Sequence, residues 1–294
     1  MHKKILNHYL KYSLFTYPGL YENYLKSLPD DPRKIGRLLR WSFIHRTTLD
    51  WGNKRTNSDL KFGDMTKVPW YRQVEDDNLP TASAMLAELF RRDSRGLTFE
   101  RKVEDKLVLT CRFISILAAS ILKAKGIPAR VRSGFVGYWP WANKNYDHWI
   151  NEYWSKKEKR WIAIDIDSSF HKTSFDWYDM PHEKFEYSAD VWLNIRKGKA
   201  NQSLYKNADG HKGLLVVAWE LFYDFHCLMN SEIIYPHIPK IVIKSWEFKK
   251  LSEEKLKEID NLAQLMQNPD GNFEALQNIW ETKREFRLLK GGLL

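Results

Sequence analysis

Apolar residues recur at helical spacing in the first hundred residues of the chain. Between residues 31 and 47 they predict a helix with one apolar face, made by Ile35, Leu38, Leu39 and Ile44. A second helix is predicted after Thr81, a typical N-cap residue, and its apolar face is made by Met85, Leu86, Leu89 and Phe90. Residues 53–67 are polar and contain glycine, so a long loop is expected there.

The middle of the chain opens with a segment that is apolar on nearly every side. From Thr110 to Lys125 the pattern predicts a helix that is buried on several faces. Gly126, followed by Pro128, predicts the end of this helix. Cys111 is therefore expected in the first turn of a central helix.

Strands are predicted after this helix, and helices follow them. Residues 129–138 form the first strand, and the alternation within residues 148–154 and 161–167 predicts a hairpin. Helices are expected again at residues 212–228 and after Ser252. This order of elements predicts an α+β fold, in which a central helix packs on an antiparallel sheet and further helices lie on both sides in sequence. The predicted regions are a mainly helical N-terminal region (1–100), the core (101–200) and a helical C-terminal region (201–294).

Composition limits the classes of function. The 294 residues carry a formal net charge of +10, but the basic residues are spread along the chain, so nucleic-acid binding is not favoured. Two cysteines do not make a disulfide framework. The first residues lack the apolar segment of a signal peptide, and no stretch reaches the ~20 apolar residues of a membrane span. A soluble cytoplasmic protein is expected.

Three side chains in the middle of the chain suggest thiol chemistry. A helix N-terminus favours a thiolate, which places Cys111 well for a nucleophile. An imidazole can act as its general base and acid, and His148 opens a predicted strand. A carboxylate can orient that imidazole, and Asp165 lies near the end of the partner strand.

The predicted hairpin offers two candidates for the orienting carboxylate. Facing residues of an antiparallel pair have a constant sum of residue numbers. A sum of 313 places His148 opposite Asp165 and Trp154 opposite Lys159, whereas a sum of 315 places His148 opposite Asp167. Short hairpin connections are commoner, which favours Asp165 and keeps Asp167 as the alternative.

The central stretch resembles the core of bacterial transglutaminase-like proteins, which are similar to papain-type cysteine enzymes in fold and triad. The matching segments are Cys111-Arg112, Ala124-Lys125-Gly126-Ile127-Pro128-Ala129-Arg130, Gly134-Phe135, Asp147-His148-Trp149, Glu152-Tyr153-Trp154 and the run from Trp161 to Asp165. Members of this family carry nucleophile, base and orienting acid at the positions matched by Cys111, His148 and Asp165. The chain departs from the family at Thr110 and Phe113, where Asn and Asp are common.

The resemblance implies thiol chemistry without a cofactor. No metal site is expected, because the other histidines lack ligand spacing and no acidic calcium-binding loop is recognisable. The thiolate attacks an amide or ester carbonyl of a peptide, protein or small molecule, and water or an amine then resolves the thioester. The backbone N–H of Cys111 is expected in the oxyanion hole. Substrate contacts are expected from aromatic and amide side chains of the loop before His148, namely Tyr138, Trp139, Trp141, Asn143 and Asn145.

The sequence leaves two other functions open and suggests structural roles for several further polar residues. The departures at Thr110 and Phe113 suggest an inactive binding or scaffold protein as the alternative, and the net charge suggests anion binding as a third hypothesis. Cys227 and His226 are adjacent on an apolar helix and are predicted as core rather than as a second catalytic pair. For Arg130 and Arg132 a structural role is favoured, in ion pairs with Glu152 on the sheet.

Overall fold

The computed structural model describes residues 3–46, 68–72, 75–139, 143–235, 237–243 and 248–287. The loop predicted at residues 53–67 lies outside the described residues. Helices and strands both occur in the part that is described, in agreement with the α+β prediction.

Twelve α-helices occur within the described ranges. They are Lys3–Leu10, Glu22–Ser27, Pro32–Ser42, Glu75–Asn78, Ala82–Arg92, Cys111–Ala124, Ser188–Arg196, Leu214–Leu228, Lys240–Ile243, Glu253–Met266, Phe273–Thr282 and Arg284–Arg287. The sequence predicts N-caps for three of them, at Thr81, Ser252 and Asn272, and Asn272 makes no side-chain capping hydrogen bond. Thr81 accepts a hydrogen bond from the Ala84 N–H at 3.2 Å, and Ser252 accepts one from the Lys255 N–H at 3.2 Å. The caps at Thr81 and Ser252 are therefore confirmed, and the one at Asn272 is wrong.

The strands form two sheets. They are β1 (Phe43–His45), β2 (Leu107–Leu109), β3 (Ala129–Val136), β4 (Asn145–Ser155), β5 (Arg160–Ile164), β6 (Glu186–Tyr187) and β7 (Tyr205–Lys206). β1 and β2 make a parallel pair. The larger sheet has the order β5-β4-β3-β6, with β7 paired to β4.

The chain divides into two compact units. We call Leu6–Arg130 with Ile150–Pro181 the N-terminal unit, and Met1–Ile5 with Val131–Trp149 and His182–Leu294 the C-terminal unit. The division into regions 1–100, 101–200 and 201–294 stays a prediction.

The helix Cys111–Ala124, called the cysteine helix below, is the centre of the N-terminal unit. Every one of its residues is buried, which confirms the all-round apolar pattern. The helices Glu22–Ser27, Pro32–Ser42 and Ala82–Arg92 pack against it. The helix ends at Ala124. Gly126 follows with a φ of 71°, and the Ile127 N–H bonds to the Leu122 carbonyl at 3.0 Å as in a Schellman motif.

The helix predicted between residues 31 and 47 is wrong at its C-terminal end. It stops at Ser42, and Ile44 lies in β1 instead. In β1, Ile44 faces Val108 of β2 and is buried with it and with Val68. Tertiary pairing thus overrides the helical spacing, because the strand satisfies its backbone groups and buries Ile44 at the same time.

A buried carboxylate anchors β2. Glu75 accepts the Val108 N–H at 2.9 Å and forms ion pairs with Arg72 and with Arg92, whose Nη2 lies 2.7 Å from Oε1. The Arg92 Nη1 also donates to the Lys106 carbonyl at 2.8 Å. The strand that leads to the cysteine helix is therefore held by charge-assisted hydrogen bonds along its edge.

The hairpin of β4 and β5 forms as predicted, but its register is different. Asn151 faces Ile164 and Ser155 faces Arg160, so facing residue numbers sum to 315 and the predicted sum of 313 is wrong. The reason is that Ser155 extends the ladder one pair beyond Trp154, which still leaves a four-residue connection, 156–159. Lys159 closes this turn with a φ of 54°.

The second strand of the hairpin is also shorter than predicted. It ends at Ile164 rather than at Asp167, because the Asp165 N–H bonds to the Trp177 carbonyl at 2.9 Å instead of to β4. The Asp165 carboxylate then accepts the Ser168 N–H at 3.0 Å, which turns the chain after the strand.

Two arginines of β3 form buried ion pairs, one in each unit. Arg130 donates to Glu152 at 2.6 Å within the N-terminal unit, as predicted. Arg132 pairs with a different carboxylate. It makes a two-bond pair with Asp224 within the C-terminal unit, at 2.8 Å for each bond. Asp224 lies on the helix Leu214–Leu228, so this pair connects that helix to β3.

Cys227 and His226 are buried in the C-terminal unit, in agreement with the core prediction. The ring nitrogens of His226 lie 3.3 Å from the Ser231 carbonyl and 3.2 Å from the Phe286 carbonyl. Burial lowers the pKa of His226 to about 4, although these carbonyls act in the opposite direction. His226 is therefore neutral at physiological pH.

We predict that His226 makes the protein less stable in acid. In an unfolded chain a histidine has a pKa of about 6.5, so between about pH 6.5 and pH 4 the unfolded state binds the extra proton. The stabilisation is complete above pH 6.5 and decreases by about 3 kcal/mol as the pH falls through this window. Urea unfolding at pH 7, 5.5 and 4.5 measures the decrease. The decrease in the free energy of unfolding between pH 7 and pH 4.5 should be much smaller in His226→Gln and should persist in His182→Gln. A decrease that is unchanged in His226→Gln would contradict the assignment.

We also predict that neutralising Glu75 weakens the N-terminal unit. Glu75→Gln leaves Arg72 and Arg92 buried without their carboxylate, which should lower the free energy of unfolding by about 3 kcal/mol. The matched control is Glu100→Gln, since Glu100 is exposed and pairs with Arg95 at the surface. Chemical denaturation of both variants measures the difference, and equal effects would show that the Glu75 network does not anchor β2.

Candidate active site

Cys111 is placed in the N-terminal unit by the strand that precedes it. β2 ends at Leu109, Thr110 continues with an extended backbone, and Cys111 is the first residue of the cysteine helix. The Phe113 and Ile114 N–H groups bond to the Thr110 carbonyl, which starts the helix there. The Cys111 side chain is buried and lies at the positive end of the helix dipole, where a thiolate is favoured.

His45 lies beside Cys111, and the sequence analysis did not find it. It is the last residue of β1 and faces Leu109 in the parallel pair, while the next N–H, that of Arg46, bonds to the Leu109 carbonyl at 2.9 Å. Parallel strands end at the same edge of their sheet, so His45 and the start of the cysteine helix come together there. The His45 ring is hydrogen-bonded with Cys111.

A carboxylate and a guanidinium extend this cluster. Asp167 Oδ2 lies 3.5 Å from His45 Nε2, and Asp167 Oδ1 lies 3.4 Å from Arg40 Nη1. Burial works against a charged His45, but the Asp167 carboxylate and the bond with Cys111 outweigh it and raise the pKa of His45. Arg40 opposes this rise, and its guanidinium lies over the Phe170 ring at 4.5 Å.

Asp165 is also buried in the N-terminal unit, two residues before Asp167. Its backbone and carboxylate are fixed by the bonds to Trp177 and Ser168 described above. Asp165 and Asp167 therefore differ in their surroundings. Asp167 engages His45 and Arg40, whereas Asp165 lies at the turn after β5.

His148 lies in β4, within the C-terminal unit, and is buried. Its ring contacts the Trp139 ring edge to face, with centroids 5.1 Å apart. The next residue, Trp149, is buried against Tyr223 and Tyr235. Aromatic packing thus fixes this part of β4 on both sides of the strand. The catalytic roles of Cys111, His148 and Asp165 stay predictions.

The predicted substrate-binding residues divide into three groups. Tyr138 and Trp139 lie before β4 with their rings in an edge contact at 6.3 Å, and Trp139 also contacts Tyr146 at 5.9 Å. Trp141 lies outside the described residues. The Asn145 amide of β4 donates to the Glu186 carboxylate of β6 at 2.6 Å. Their contact with a substrate stays a prediction.

His45 could not have been recognised as a site residue from the sequence pattern. It lies in a three-residue strand, too short to show an alternation of apolar and polar positions, and it reaches Cys111 only through pairing with a strand more than sixty residues away. The signal that was present is the polar pair His45-Arg46 directly after the buried residues Phe43 and Ile44.

The described residues contain neither a membrane-crossing helix nor a cluster of metal ligands. No helix there is long and apolar enough to cross a membrane. No group of three or more His, Cys, Asp or Glu side chains is arranged in that part of the chain to hold a metal ion.

Among known proteins, one family model matches a part of the chain, residues 99–166. Neither a curated protein nor a solved structure matches the chain significantly. The matched region contains Cys111, His148 and Asp165, and it ends one residue before Asp167. Residues 99–166 match the family model of the transglutaminase-like superfamily, which confirms the resemblance found in the sequence.

Proposed function

We propose that the protein is a cysteine enzyme that attacks an amide or ester carbonyl through a Cys-His-Asp triad. Cys111 is the nucleophile, His148 is the general base and acid, and Asp165 orients His148. The central helix and the antiparallel sheet form the papain-type core. The observation that carries the proposal is the place of Cys111, buried at the first turn of the cysteine helix within the family match.

The surroundings of the two aspartates support Asp165 as the orienting acid. The observed sum of 315 is the register that the sequence analysis linked with Asp167, so the hairpin argument that favoured Asp165 is wrong. However, Asp167 already forms ion pairs with His45 and Arg40, and it lies outside the family match, which includes Asp165. Asp165, which lies within the family match, is therefore the carboxylate proposed to orient His148, with Asp167 as the alternative.

The proposed reaction proceeds in two stages. The Cys111 thiolate adds to the carbonyl carbon, and backbone N–H groups at the start of the cysteine helix, including that of Cys111, stabilise the oxyanion. His148 begins the cycle as an imidazolium and gives its extra proton to the leaving amine or alcohol as the C–N or C–O bond breaks, which leaves a thioester on Cys111 and a neutral His148. His148 then takes a proton from water or from an acceptor amine, which attacks the thioester and releases the product.

An inactive binding protein is the alternative. Thr110 and Phe113 depart from residues common in the family, and both lie within two residues of Cys111 in sequence. The surroundings of Cys111 favour an active enzyme. A helix N-terminus and a hydrogen-bonded imidazole both stabilise a thiolate, and a cysteine without a catalytic role needs neither.

We predict an acyl-enzyme on Cys111 with an activated ester. Mixing the protein with p-nitrophenyl acetate should give a burst of p-nitrophenol and an acetyl group that intact-mass and peptide analysis locate on Cys111. Cys111→Ala should abolish the burst, and His148→Ala and Asp165→Asn should slow acylation by about 10²- to 10⁴-fold without unfolding the protein. Hydroxylamine added after the burst separates transfer, which yields a hydroxamate, from hydrolysis.

The matched control is Cys227→Ala. Cys227 is a buried thiol of the C-terminal unit, and its removal should leave the burst unchanged. Acylation that survives in Cys111→Ala, or equal rates in the wild type and His148→Ala, would reject the mechanism. Absence of any acyl-enzyme, together with slow alkylation of Cys111 at neutral pH, would favour the inactive binding protein.

A further inference from the structure

We propose that His45, held by Asp167, is the ion-pair partner that keeps Cys111 ionised before substrate binds. The inference rests on the proposed function, because it describes how the same nucleophile is prepared. It assigns to His45 a role distinct from that of His148, which moves protons during the reaction.

The fold places His45 at the thiol independently of the predicted triad. β1 and β2 are both within the N-terminal unit, and their parallel pairing places the end of one strand beside the residue that opens the cysteine helix. Cys111, His45 and Asp167 thus form a complete chain of thiol, imidazole and carboxylate inside one unit. The Glu75 network fixes the edge of β2 and so fixes this arrangement.

The charges of the cluster permit the ionised form. The groups that face the His45 ring are Cys111 from the cysteine helix, Asp167 from the segment after β5 and Arg40 from the helix Pro32–Ser42. When the thiol proton passes to His45, the S–H bond breaks and an N–H bond forms, and the total charge of the cluster is unchanged. Asp167 then balances the imidazolium, while the helix N-terminus favours the thiolate.

The cluster of Cys111, His45, Asp167 and Arg40 is more buried than an ion pair at the protein surface. Arg40 and Cys111 are almost fully buried, the Asp167 side chain is 10% exposed and that of His45 is 19% exposed. Little water is available to screen the attraction of Asp167 for a protonated ring. The 3.5 Å separation of His45 Nε2 and Asp167 Oδ2 is an ion-pair distance. The pKa of His45 is raised by these groups in spite of burial.

The first experiment is the pH dependence of Cys111 alkylation by iodoacetamide, located by peptide mass mapping. In the wild type the midpoint should lie well below the ~8.5 of an ordinary thiol. His45→Gln should raise the midpoint by about one pH unit or more, which slows labelling at pH 6 about tenfold, while the limiting rate at high pH is retained. Asp167→Asn should shift the midpoint in the same direction, and the double variant should add nothing beyond His45→Gln.

Two control variants match these substitutions in chemistry. His182→Gln removes an imidazole of the C-terminal unit that stacks on Tyr187, and Asp179→Asn removes an exposed carboxylate paired with Arg160. Both should leave the alkylation midpoint unchanged. A merely structural His45 would change folding stability but not the midpoint, so an unchanged midpoint in a folded His45→Gln overturns the inference.

A second measurement leaves His45 in place, in case its variants do not fold. Long-range ¹H–¹⁵N spectra of ¹⁵N-histidine-labelled protein follow the titration of His45. Cys111→Ala removes the partner thiol, so the titration midpoint of His45 should fall by about one pH unit. An identical midpoint in the wild type and Cys111→Ala would overturn the inference.

The outcomes distinguish the two proposals. A burst that depends on His148, with no shift in His45→Gln, keeps the proposed function and rejects the role of His45. A midpoint shift in His45→Gln without any acyl-enzyme in the wild type keeps the ion pair and rejects the catalytic proposal.

Discussion

The parallel pairing of β1 and β2 is the constraint on which the surroundings of Cys111 depend. A parallel pair delivers both of its chain ends to one edge, so the residue that closes β1 and the residue that follows β2 are neighbours whatever the loops between them do. The strands are only three residues long, and isolated they would not be stable. Their stability comes from the buried Ile44 and Val108 and from the Glu75 carboxylate, which takes the place of a further strand along the edge of β2.

Buried ion pairs define the geometry of both units more than they add to stability. Arg130 pairs with Glu152, Arg132 with Asp224 and Arg40 with Asp167, and each pair joins segments that are distant in sequence. Desolvation cancels much of the attraction within such pairs, but a wrong register would leave each charge buried alone. The pairs therefore disfavour alternative packings of the same apolar segments, and they do so around the residues that carry the proposed chemistry.

The predictability of the fold follows the range of the interactions that form it. The cysteine helix and the caps at Thr81 and Ser252 were predicted correctly, because apolar pattern and capping act within a few residues. The hairpin was predicted, but its register was not, because one additional pair at Ser155 cannot be read from alternation. The pairing of Arg132 with Asp224 and the place of His45 depend on contacts across the fold. The pattern of the cysteine helix therefore indicates Cys111 as a candidate nucleophile, but nothing in the sequence indicates that His45 lies beside it.

The four-residue turn between β4 and β5 connects the two strands but does not hold Asp165 in its position. Residues 156–159 are all exposed, and the ladder they close runs only as far as Ile164. Asp165 is held by Trp177 and Ser168 rather than by the turn. The chain could therefore be opened or lengthened at this point, as in a circular permutant or a reporter insertion, while Asp165 keeps its hydrogen bonds. This turn thus offers an attachment point whose change should not disturb the hydrogen bonds of Asp165, the proposed orienting acid.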